Sequence, residues 1–362
     1  MEDKIKIIAI IALAVLCACK DSEEKLARKA DRIHASILTV DSHADTPLEF
    51  DKQGLDLGVW NSTGCVDFPR MKAGGLHAIF FVAYTAQGPR NDSGYFNAKN
   101  RALYLIDKTN ESVNKYNSMA EIAYTADDAY RIKKSGKIAV YIGVENGNPI
   151  GRDITKVKEF YDLGARYITL SHTRNNDICD SANDASGAEH NGLSEFGKQV
   201  IQEMNRLGMM IDVSHISDKS FYDILALTKA PVIASHSSCR ALCNNPRNLT
   251  DDMLLALKEN GGVIQICILS AYLISAELKR HATVVDVVDH IDHVVRVAGI
   301  DHVGIGTDFD GGGGIEGCRN ASEVKNITIE LLRRGYSKKD IEKIWSGNIM
   351  RVMRQVERGV SD

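Results

Sequence analysis

Long runs of one charge and proline-rich stretches are both missing from this chain of 362 residues. Its 44 lysines and arginines nearly balance 48 aspartates and glutamates, and no long basic run offers the electrostatic footprint of a nucleic-acid-binding protein. With six prolines and 29 glycines spread along it, the chain is neither low-complexity nor collagen-like. The amino-acid composition is otherwise ordinary. With 44% hydrophobic and 25% charged residues, it predicts a soluble globular fold with a large core.

An apolar run of membrane-spanning length is also missing. The run Ile7–Ala18 has about twelve residues, whereas a spanning helix needs roughly 20. Lysines precede it, as in the apolar core of a secretory signal. It ends in Leu16-Cys17-Ala18-Cys19, which resembles the lipobox of bacterial lipoproteins. We therefore expect a signal over residues 1–18, a lipid on Cys19 and a solvated tether over residues 19–32; a signal cleaved nearby without lipid is the alternative.

The expected location follows from this anchor. A lipid on Cys19 predicts a protein of the bacterial cell envelope that meets a membrane only through its N-terminal lipid. Which membrane and which face carry it stays open.

Paired cysteines at metal-binding spacing are missing as well. Six of the eight cysteines follow Cys19, too few for a disulfide scaffold in a chain of this length. None forms the CxxC pair that is typical of structural zinc sites. Disulfide pairing among them cannot be deduced from spacing and is left open.

Short apolar runs alternate with helical patterns along the rest of the chain. Eight runs predict buried strands: Ile37–Val40, Ala78–Val82, Ile138–Val144, Tyr167–Leu170, Met209–Val213, Val232–Ala234, Val263–Ile266 and His302–Ile305. Strands that repeatedly feed helices indicate parallel βαβ units, and eight of them predict a (β/α)8 TIM barrel. No GxGxxG follows the first strand, which removes the dinucleotide-binding alternative. Extra helices follow the last strand, and residues 33–362 are expected to form one domain.

Histidines and acids collect where the predicted strands end. In a parallel barrel the active site lies at the carboxyl ends of the strands, so residues just past them should meet. The set that follows the strands is His43, Asp45, Glu145, His172, His215, His236 and Asp308. The strands were assigned from apolar runs alone, so this coincidence predicts a functional site.

The residue types in this set predict a pair of metal ions. His43 and Asp45 have i, i+2 spacing, which puts both side chains on one face of an extended chain and within reach of one cation. His215 and His236 can hold a second ion, and Glu145 has two oxygens that can bridge both. Two ions roughly 3.5–4 Å apart make a hydroxide near neutral pH from a shared water, which is hydrolase chemistry. A helix also carries Asp286, His290 and His293 at metal-compatible spacing, but we interpret that face as solvated.

The motifs around these residues resemble those of the membrane (renal-type) dipeptidases, binuclear zinc peptidases with an amidohydrolase-like barrel. They are Val40-Asp41-Ser42-His43-Ala44-Asp45, Gly143-Val144-Glu145-Asn146-Gly147, Leu170-Ser171-His172, Ile211-Asp212-Val213-Ser214-His215, Ser235-His236-Ser237-Ser238 and Gly304-Ile305-Gly306-Thr307-Asp308-Phe309-Asp310-Gly311. The resemblance covers about Ile33 to about Gln355. It departs after strand seven, where Cys267 to Tyr272 replaces the family's asparagine- and tyrosine-containing stretch.

The resemblance implies a ligand set and further roles. Two Zn²⁺ ions would be held by His43, Asp45 and Glu145 on one side, and by Glu145, His215 and His236 on the other. His172 would contact the substrate and the oxyanion that forms at the scissile carbonyl. Arg240 would bind the substrate carboxylate, and Asp308 would lie near the substrate amine and the leaving group. Whether Asp308 or His172 protonates the leaving amine stays open.

The expected function is therefore that of a zinc-dependent dipeptidase. The family resemblance implies hydrolysis of free dipeptides, with a D-residue tolerated at the C-terminal position, by attack of a metal-bridging hydroxide. The alternatives are another metal-dependent amidohydrolase, such as a lactonase or deaminase, and a surface lipoprotein that only binds peptide or metal. The oligomeric state stays open, with a homodimer among the alternatives.

Overall fold

A computed structural model describes residues 23–52 and 54–359. The predicted signal and the predicted lipidation site Cys19 lie outside the described residues. Residues 23–36 form helix α1, so the segment expected to be a solvated tether is helical in its described part. The reason is an apolar face, since Ala30 and Ile33 are buried in the main core. Nowhere between residues 23 and 359 does a described helix combine the length and the apolar character needed to cross a membrane.

The described strands form one parallel sheet that curves into a barrel. Its order is β1-β2-β4-β5-β6-β7-β8-β9, and β3 pairs with β4 outside this path. Hydrogen bonds from Asp45 N to Phe309 O (2.8 Å) and from Asp308 N to His43 O (3.0 Å) join the first and last strands. The strands are β1 (Val40–Ala44), β2 (Ala78–Tyr84), β3 (Ala120–Ile122), β4 (Ile138–Glu145), β5 (Ala165–Thr169), β6 (Met210–Asp212), β7 (Ile233–Ser237), β8 (Val263–Ile266) and β9 (Val303–Ile305). The predicted (β/α)8 barrel in a single domain is confirmed.

Three strand boundaries differ from the prediction in a way that matters for the site, because β1, β4 and β7 extend to include His43, Glu145 and His236. The first strand was expected at Ile37–Val40, but Ile37 and Leu38 only pack in the core, and pairing with β2 begins at Val40. His43 therefore lies inside β1, and His236 lies inside β7, rather than beyond the strand ends. The short strand β3 was missed, because three residues carry too little pattern.

Helices surround the barrel, and their ends follow local capping rules. Helix α6 shows this, because Ser194 accepts a hydrogen bond from Gly197 N at its start and Gly208 ends it in a left-handed conformation. The helices after α1 are α2 (Phe68–Gly74), α3 (Asp92–Lys115), α4 (Ala126–Lys134), α5 (Thr155–Asp162), α6 (Glu195–Leu207), α7 (Asp218–Leu227), α8 (Asp251–Asn260), α9 (Ser270–Leu273), α10 (Val284–Val297), α11 (Lys325–Arg333), α12 (Lys338–Glu342) and α13 (Asn348–Glu357).

The C-terminal helices close the amino end of the barrel. Ser337 and Asp340 form a capping box at the start of α12. Ile349, Met350 and Met353 of α13 join the buried cluster that contains the amino-terminal residues of the strands, such as Val40 and Ala78. With that end closed, the carboxyl ends of the strands are left to form a cavity.

The interpretation of one helix face is corrected by the structure. Asp286, His290 and His293 of α10 were expected to face solvent, but all three are buried. Each has a partner outside the helix or at its start: Arg280 for Asp286, Cys239 for His290 and Asp251 for His293. The face is covered by the loop after β7, the start of α8 and the segment just before α10, which helical periodicity does not reveal.

The described cysteines are free thiols: Cys65, Cys179, Cys239, Cys243, Cys267 and Cys318. Burial raises the pKa of most of them, for example that of Cys179 to about 12. They therefore act as small apolar core residues rather than as nucleophiles.

Candidate active site

Five residues expected to bind metal meet at the carboxyl end of the barrel. His43 belongs to β1, Glu145 ends β4 and His236 belongs to β7, while Asp45 and His215 follow β1 and β6. All five are buried. Their ligand atoms form two groups, each within 4.8 Å: His43, Asp45 and Glu145, and Glu145, His215 and His236.

Glu145 lies between the two groups and contacts both. Its Oε2 is 3.6 Å from His43 Nε2, whereas its Oε1 is 3.1 Å from His215 Nε2 and 3.4 Å from His236 Nε2. Each oxygen thus faces a different set of ligands. This is the geometry that a carboxylate needs to bridge two cations.

The buried polar atoms of this cluster lack the hydrogen bonds that burial normally demands. Among the described residues, His43 Nε2, Asp45 Oδ1 and His215 Nδ1 have no hydrogen-bond partner. An unsatisfied buried polar atom costs about 1–3 kcal/mol, so such atoms are rare unless a ligand completes them. Imidazole nitrogen and carboxylate oxygen are ordinary zinc ligands. The residues therefore fit a metal centre of this kind.

The electrostatics of the cluster favour metal ligation. Burial lowers the pKa of His215 and of His236 well below the usual value, so both rings stay neutral, as metal ligands must be. Burial opposes ionisation of Glu145, but the facing His43, His215 and His236 outweigh it and hold its pKa well below normal. Burial and the charge of Glu145 together raise the pKa of Asp45. A cation would offset that repulsion between the two carboxylates.

Polar residues beneath the cluster fix two of the histidine rings. Tyr167 Oη donates to Ser42 O (3.1 Å) and therefore accepts from His43 Nδ1 (2.9 Å). Ser235 Oγ donates to Asp212 Oδ2 (2.6 Å) and accepts from His236 Nδ1 (2.8 Å). In both histidines Nδ1 therefore carries the proton, and Nε2 faces Glu145. Such outer partners are typical of metal-ligating histidines.

The backbone around the cluster adopts conformations that are rare for residues with side chains. Asn146, His215 and Asp308, next to the ends of β4, β6 and β9, have φ angles of 73°, 72° and 61°. Strain of this kind concentrates at functional sites. Gly311 is needed for a different reason, because a Cβ there would lie 2.0 Å from Asp45 Oδ2 and 2.5 Å from Asp308 Oδ1.

A cavity of about 250 Å³ opens above the cluster. His172 and Asp308 lie in its wall, as expected for residues that contact a substrate. The ring of His172 packs on Tyr84 and His215, and burial lowers its pKa. Burial raises the pKa of Asp308, which also lies near enough to His43 and His236 to form a third possible ligand group. The full lining is Asp45, Leu48, Tyr84, Glu145, His172, Thr173, His215, His236, Leu269, Tyr272, Asp308 and Gly311.

The structure does not bring Arg240 to this cavity. Its guanidinium makes two hydrogen bonds to Asp218 (2.6 and 2.7 Å) and lines a separate surface pocket. The prediction that Arg240 binds the substrate carboxylate is therefore corrected. The side chain of Arg240 is held away from the cavity by Asp218 and by Asn248 O, to which its Nε donates (2.8 Å).

Arg247 is the cation that the loop brings to the site instead. It is buried, donates to His236 O (3.0 Å) and Ser237 Oγ (3.3 Å), and lies 5.2 Å from the ring centroid of Tyr272 in the cavity wall. Its Nε has no hydrogen-bond partner among the described residues. Its charge also lowers the pKa of His172 and His215. No local motif marks Arg247, since it is placed only by the folding of the loop.

Comparison with known proteins agrees with this geometry. The sequence profile of the family described as "Membrane dipeptidase (Peptidase family M19)" matches residues 27–361. The chain is 38% identical over 300 residues to "Dipeptidase tcpJ" of Claviceps purpurea, covering 81% of this chain and 70% of that protein. It is 34% identical over 346 residues to mouse "Dipeptidase 3", covering 93% and 68%. The crystal structure of "the probable dipeptidase PvdM from Pseudomonas aeruginosa" superposes with a TM-score of 0.88 at 29% identity, covering 92% of this chain and 99% of that one.

Proposed function

The chain belongs to the membrane dipeptidase family, peptidase family M19, and on that premise we propose that it is a dipeptidase with two zinc ions bridged by Glu145. The observation that carries this proposal is the pair of three-residue ligand groups that share Glu145. Family membership favours this function over the lactonase and deaminase alternatives. Because all five proposed metal ligands are present, the alternative of a surface protein that only binds peptide is disfavoured.

The proposed ligands are those predicted from the sequence. His43, Asp45 and Glu145 would hold one ion, and Glu145, His215 and His236 the other. When bound, two zinc ions supply an activated water as nucleophile and polarise the scissile carbonyl. The outer partners Tyr167 and Ser235 would keep both imidazole rings oriented for this task.

Opposite charges for the two ends of a free dipeptide are offered by Asp308 in the cavity wall and by the buried Arg247, which packs against Tyr272 of that wall. A dipeptide has an ammonium group at one end and a carboxylate at the other, so recognition needs one acid and one cation at a fixed span. Asp308 would pair with the ammonium group, and Arg247 would bind the carboxylate through its unpartnered Nε–H. A volume of about 250 Å³ supports a preference for small substrates over longer peptides.

The chain's own residues can also handle the reacting proton and oxygen. Asp308 is a buried carboxylate with a raised pKa, suited to take a proton from the attacking water and pass it to the leaving amine. His172 would donate a hydrogen bond to the carbonyl oxygen as negative charge develops there. Among the described residues its Nδ1 is unpartnered and its Nε2 lies 3.7 Å from Glu145 Oε1.

The proposal is tested by metal content and a substrate panel measured together. We expect two zinc ions per chain, rapid cleavage of L,L dipeptides, measurable cleavage of L,D dipeptides and little cleavage of tripeptides. The L,D arm tests the tolerance of a C-terminal D-residue that the family resemblance implies. Fewer than two ions per chain, or equal cleavage of dipeptides and tripeptides, would overturn the proposal.

A further inference from the structure

A buried histidine outside the metal cluster joins two of the loops that surround the cavity. His290, in α10, is 1% exposed. Its Nδ1 lies 2.9 Å from Cys239 N, and its Nε2 lies 2.9 Å from Leu273 O. A backbone N–H can only donate and a carbonyl can only accept. The ring must therefore be neutral, with its proton on Nε2.

Burial keeps His290 in this form. It lowers the pKa of the ring below the usual 6.5, and the bond to Leu273 O opposes that shift only in part. Protonation would remove the lone pair that accepts from Cys239 N. The bridge thus needs the neutral tautomer that its surroundings favour.

Both partners of His290 belong to segments that shape one wall of the cavity. Cys239 follows the proposed ligand His236 by three residues and begins the loop that carries Arg247. Leu273 ends α9, whose neighbouring residue Tyr272 lines the cavity. His290 therefore links the arginine-bearing loop to the aromatic wall.

Helix α9 depends on such links for its position. It has only four residues and no side-chain cap, so its intrinsic stability is low. Asn248 Nδ2 donates to Tyr272 O and to Cys243 O, both at 2.9 Å, which ties α9 to the same loop at a second point. Because Tyr272 packs over the guanidinium of Arg247, which also donates to His236 O and Ser237 Oγ, α9 supplies one of the contacts that place that cation.

We propose that His290 is a positioning residue for substrate binding, which holds α9 and the loop after β7 so that Tyr272 and Arg247 meet the carboxylate end of the dipeptide. The inference rests on the proposed function, because it assigns that end of the substrate to Arg247. His290 has no contact with the proposed metal ligands, so its effect should fall on KM rather than on kcat or on zinc content.

Three substitutions separate the two hydrogen bonds of His290. Its replacement by alanine (His290→Ala) removes both bonds. In His290→Gln the amide NH₂ reaches the position of Nε2 and keeps the bond to Leu273 O, whereas in His290→Asn the amide oxygen reaches the position of Nδ1 and keeps the bond from Cys239 N. His34→Asn is the matched control, because His34 is a buried histidine with both ring nitrogens bonded far from the cavity.

The experiment measures kcat, KM for one dipeptide, zinc content and Tm of the full chain with each change. We expect His290→Ala to raise KM about tenfold, as the loss of one or two positioning hydrogen bonds would, with kcat changed less than about threefold. Zinc should stay at the wild-type level. His290→Gln should restore most of the wild-type KM and His290→Asn should not, because the bond to Leu273 O is the one that holds α9.

Several outcomes would overturn the inference. An unchanged KM in His290→Ala, a fall in kcat or zinc content as large as the rise in KM, or the same KM rise in His34→Asn would each do so. If His290→Ala does not fold, equal KM values for His290→Gln and His290→Asn would overturn the inference. A wild-type chain that cleaves no dipeptide would instead remove the proposed function, and this inference with it.

Discussion

Buried histidines lie at both ends of the barrel, and they differ in what their ring nitrogens contact. Near the amino end, the buried His34 bonds Gly75 O (3.2 Å) and Thr328 Oγ1 (2.7 Å), and the half-buried His77 bonds Thr39 Oγ1 (2.7 Å). At the carboxyl end, His215 and His236 face each other through Nε2 atoms 2.8 Å apart, with Glu145 beside both. Burial alone therefore does not distinguish a structural histidine from a functional one.

The difference lies in whether hydrogen bonding is complete. Trp345 donates to Thr328, which leaves the Thr328 hydroxyl proton for His34 Nε2, while His34 Nδ1 donates to Gly75 O. Both ring nitrogens of His34 therefore have hydrogen-bond partners. At the other end, His43 Nε2 and Asp45 Oδ1 are buried without partners among the described residues. These unpartnered atoms fit a cation, and the comparison between the two ends can be tested by substituting residues at each end in turn.

The largest effect is expected at the carboxyl end. Glu145→Gln removes the charge that faces both ligand groups, so we expect kcat to fall about a thousandfold or more and zinc content to fall below two per chain. Metal analysis and steady-state kinetics measure both. Glu330→Gln is the matched control, since Glu330 is a buried glutamate of α11 that pairs with arginines rather than with histidines. A normal zinc content in Glu145→Gln would contradict the difference drawn between the two ends.

An intermediate effect is expected from substituting one of the two arginines in the loop after β7. Arg247 lies at the ligand cluster, whereas Arg240 is paired with Asp218. We expect Arg247→Ala to raise KM for dipeptides about 10- to 100-fold, the size of a lost charge-assisted hydrogen bond, and Arg240→Ala to leave KM unchanged. Steady-state kinetics with dipeptides test this. The reverse result would restore the original assignment of the carboxylate contact to Arg240.

The smallest effect is expected at the amino end and concerns stability alone. Burial lowers the pKa of His34 from 6.5 to about 4, so the unfolded chain binds more protons than the folded chain between these values. The contribution of His34 to stability is therefore complete above pH 6.5 and is lost as the pH falls toward 4, at most roughly 3 kcal/mol at about 1.4 kcal/mol per pKa unit. In His34→Gln the free energy of unfolding should depend less on pH over this range, with unchanged dipeptide kinetics at pH 7. Urea unfolding at pH 7, 6 and 5 measures the slope, and an identical slope in both chains would contradict the role of His34.

Much of the site was predictable, because most of its residues lie at or just past the ends of predicted strands. The apolar runs that become β1, β4, β6 and β7 locate His43, Glu145, His215 and His236 at one end of a parallel barrel, even though β1 starts later than expected. Arg247 was not predictable, because the choice between two arginines of one loop depends on where that loop folds back. Arg240 was assigned to the substrate carboxylate from the family resemblance, but its guanidinium pairs with Asp218 and lines a separate surface pocket.

The buried face of α10 was missed for a related reason. Its helical pattern was recognised, but His290 bonds backbone atoms that are 51 and 17 residues away in the chain. Periodicity describes one helix at a time. It does not reveal which loops will cover a polar face.

Local sequence patterns were enough to predict the barrel and the residue types gathered at the carboxyl ends of its strands. These depend on local apolar patterning and on the rule that parallel strands share one end. The tertiary structure was needed to show that Gly311 leaves room for Asp45 and Asp308, and that Arg247 rather than Arg240 lies beside the ligand cluster. The physical reason is that these choices follow from distances and hydrogen bonds of a few ångströms between segments far apart in the chain.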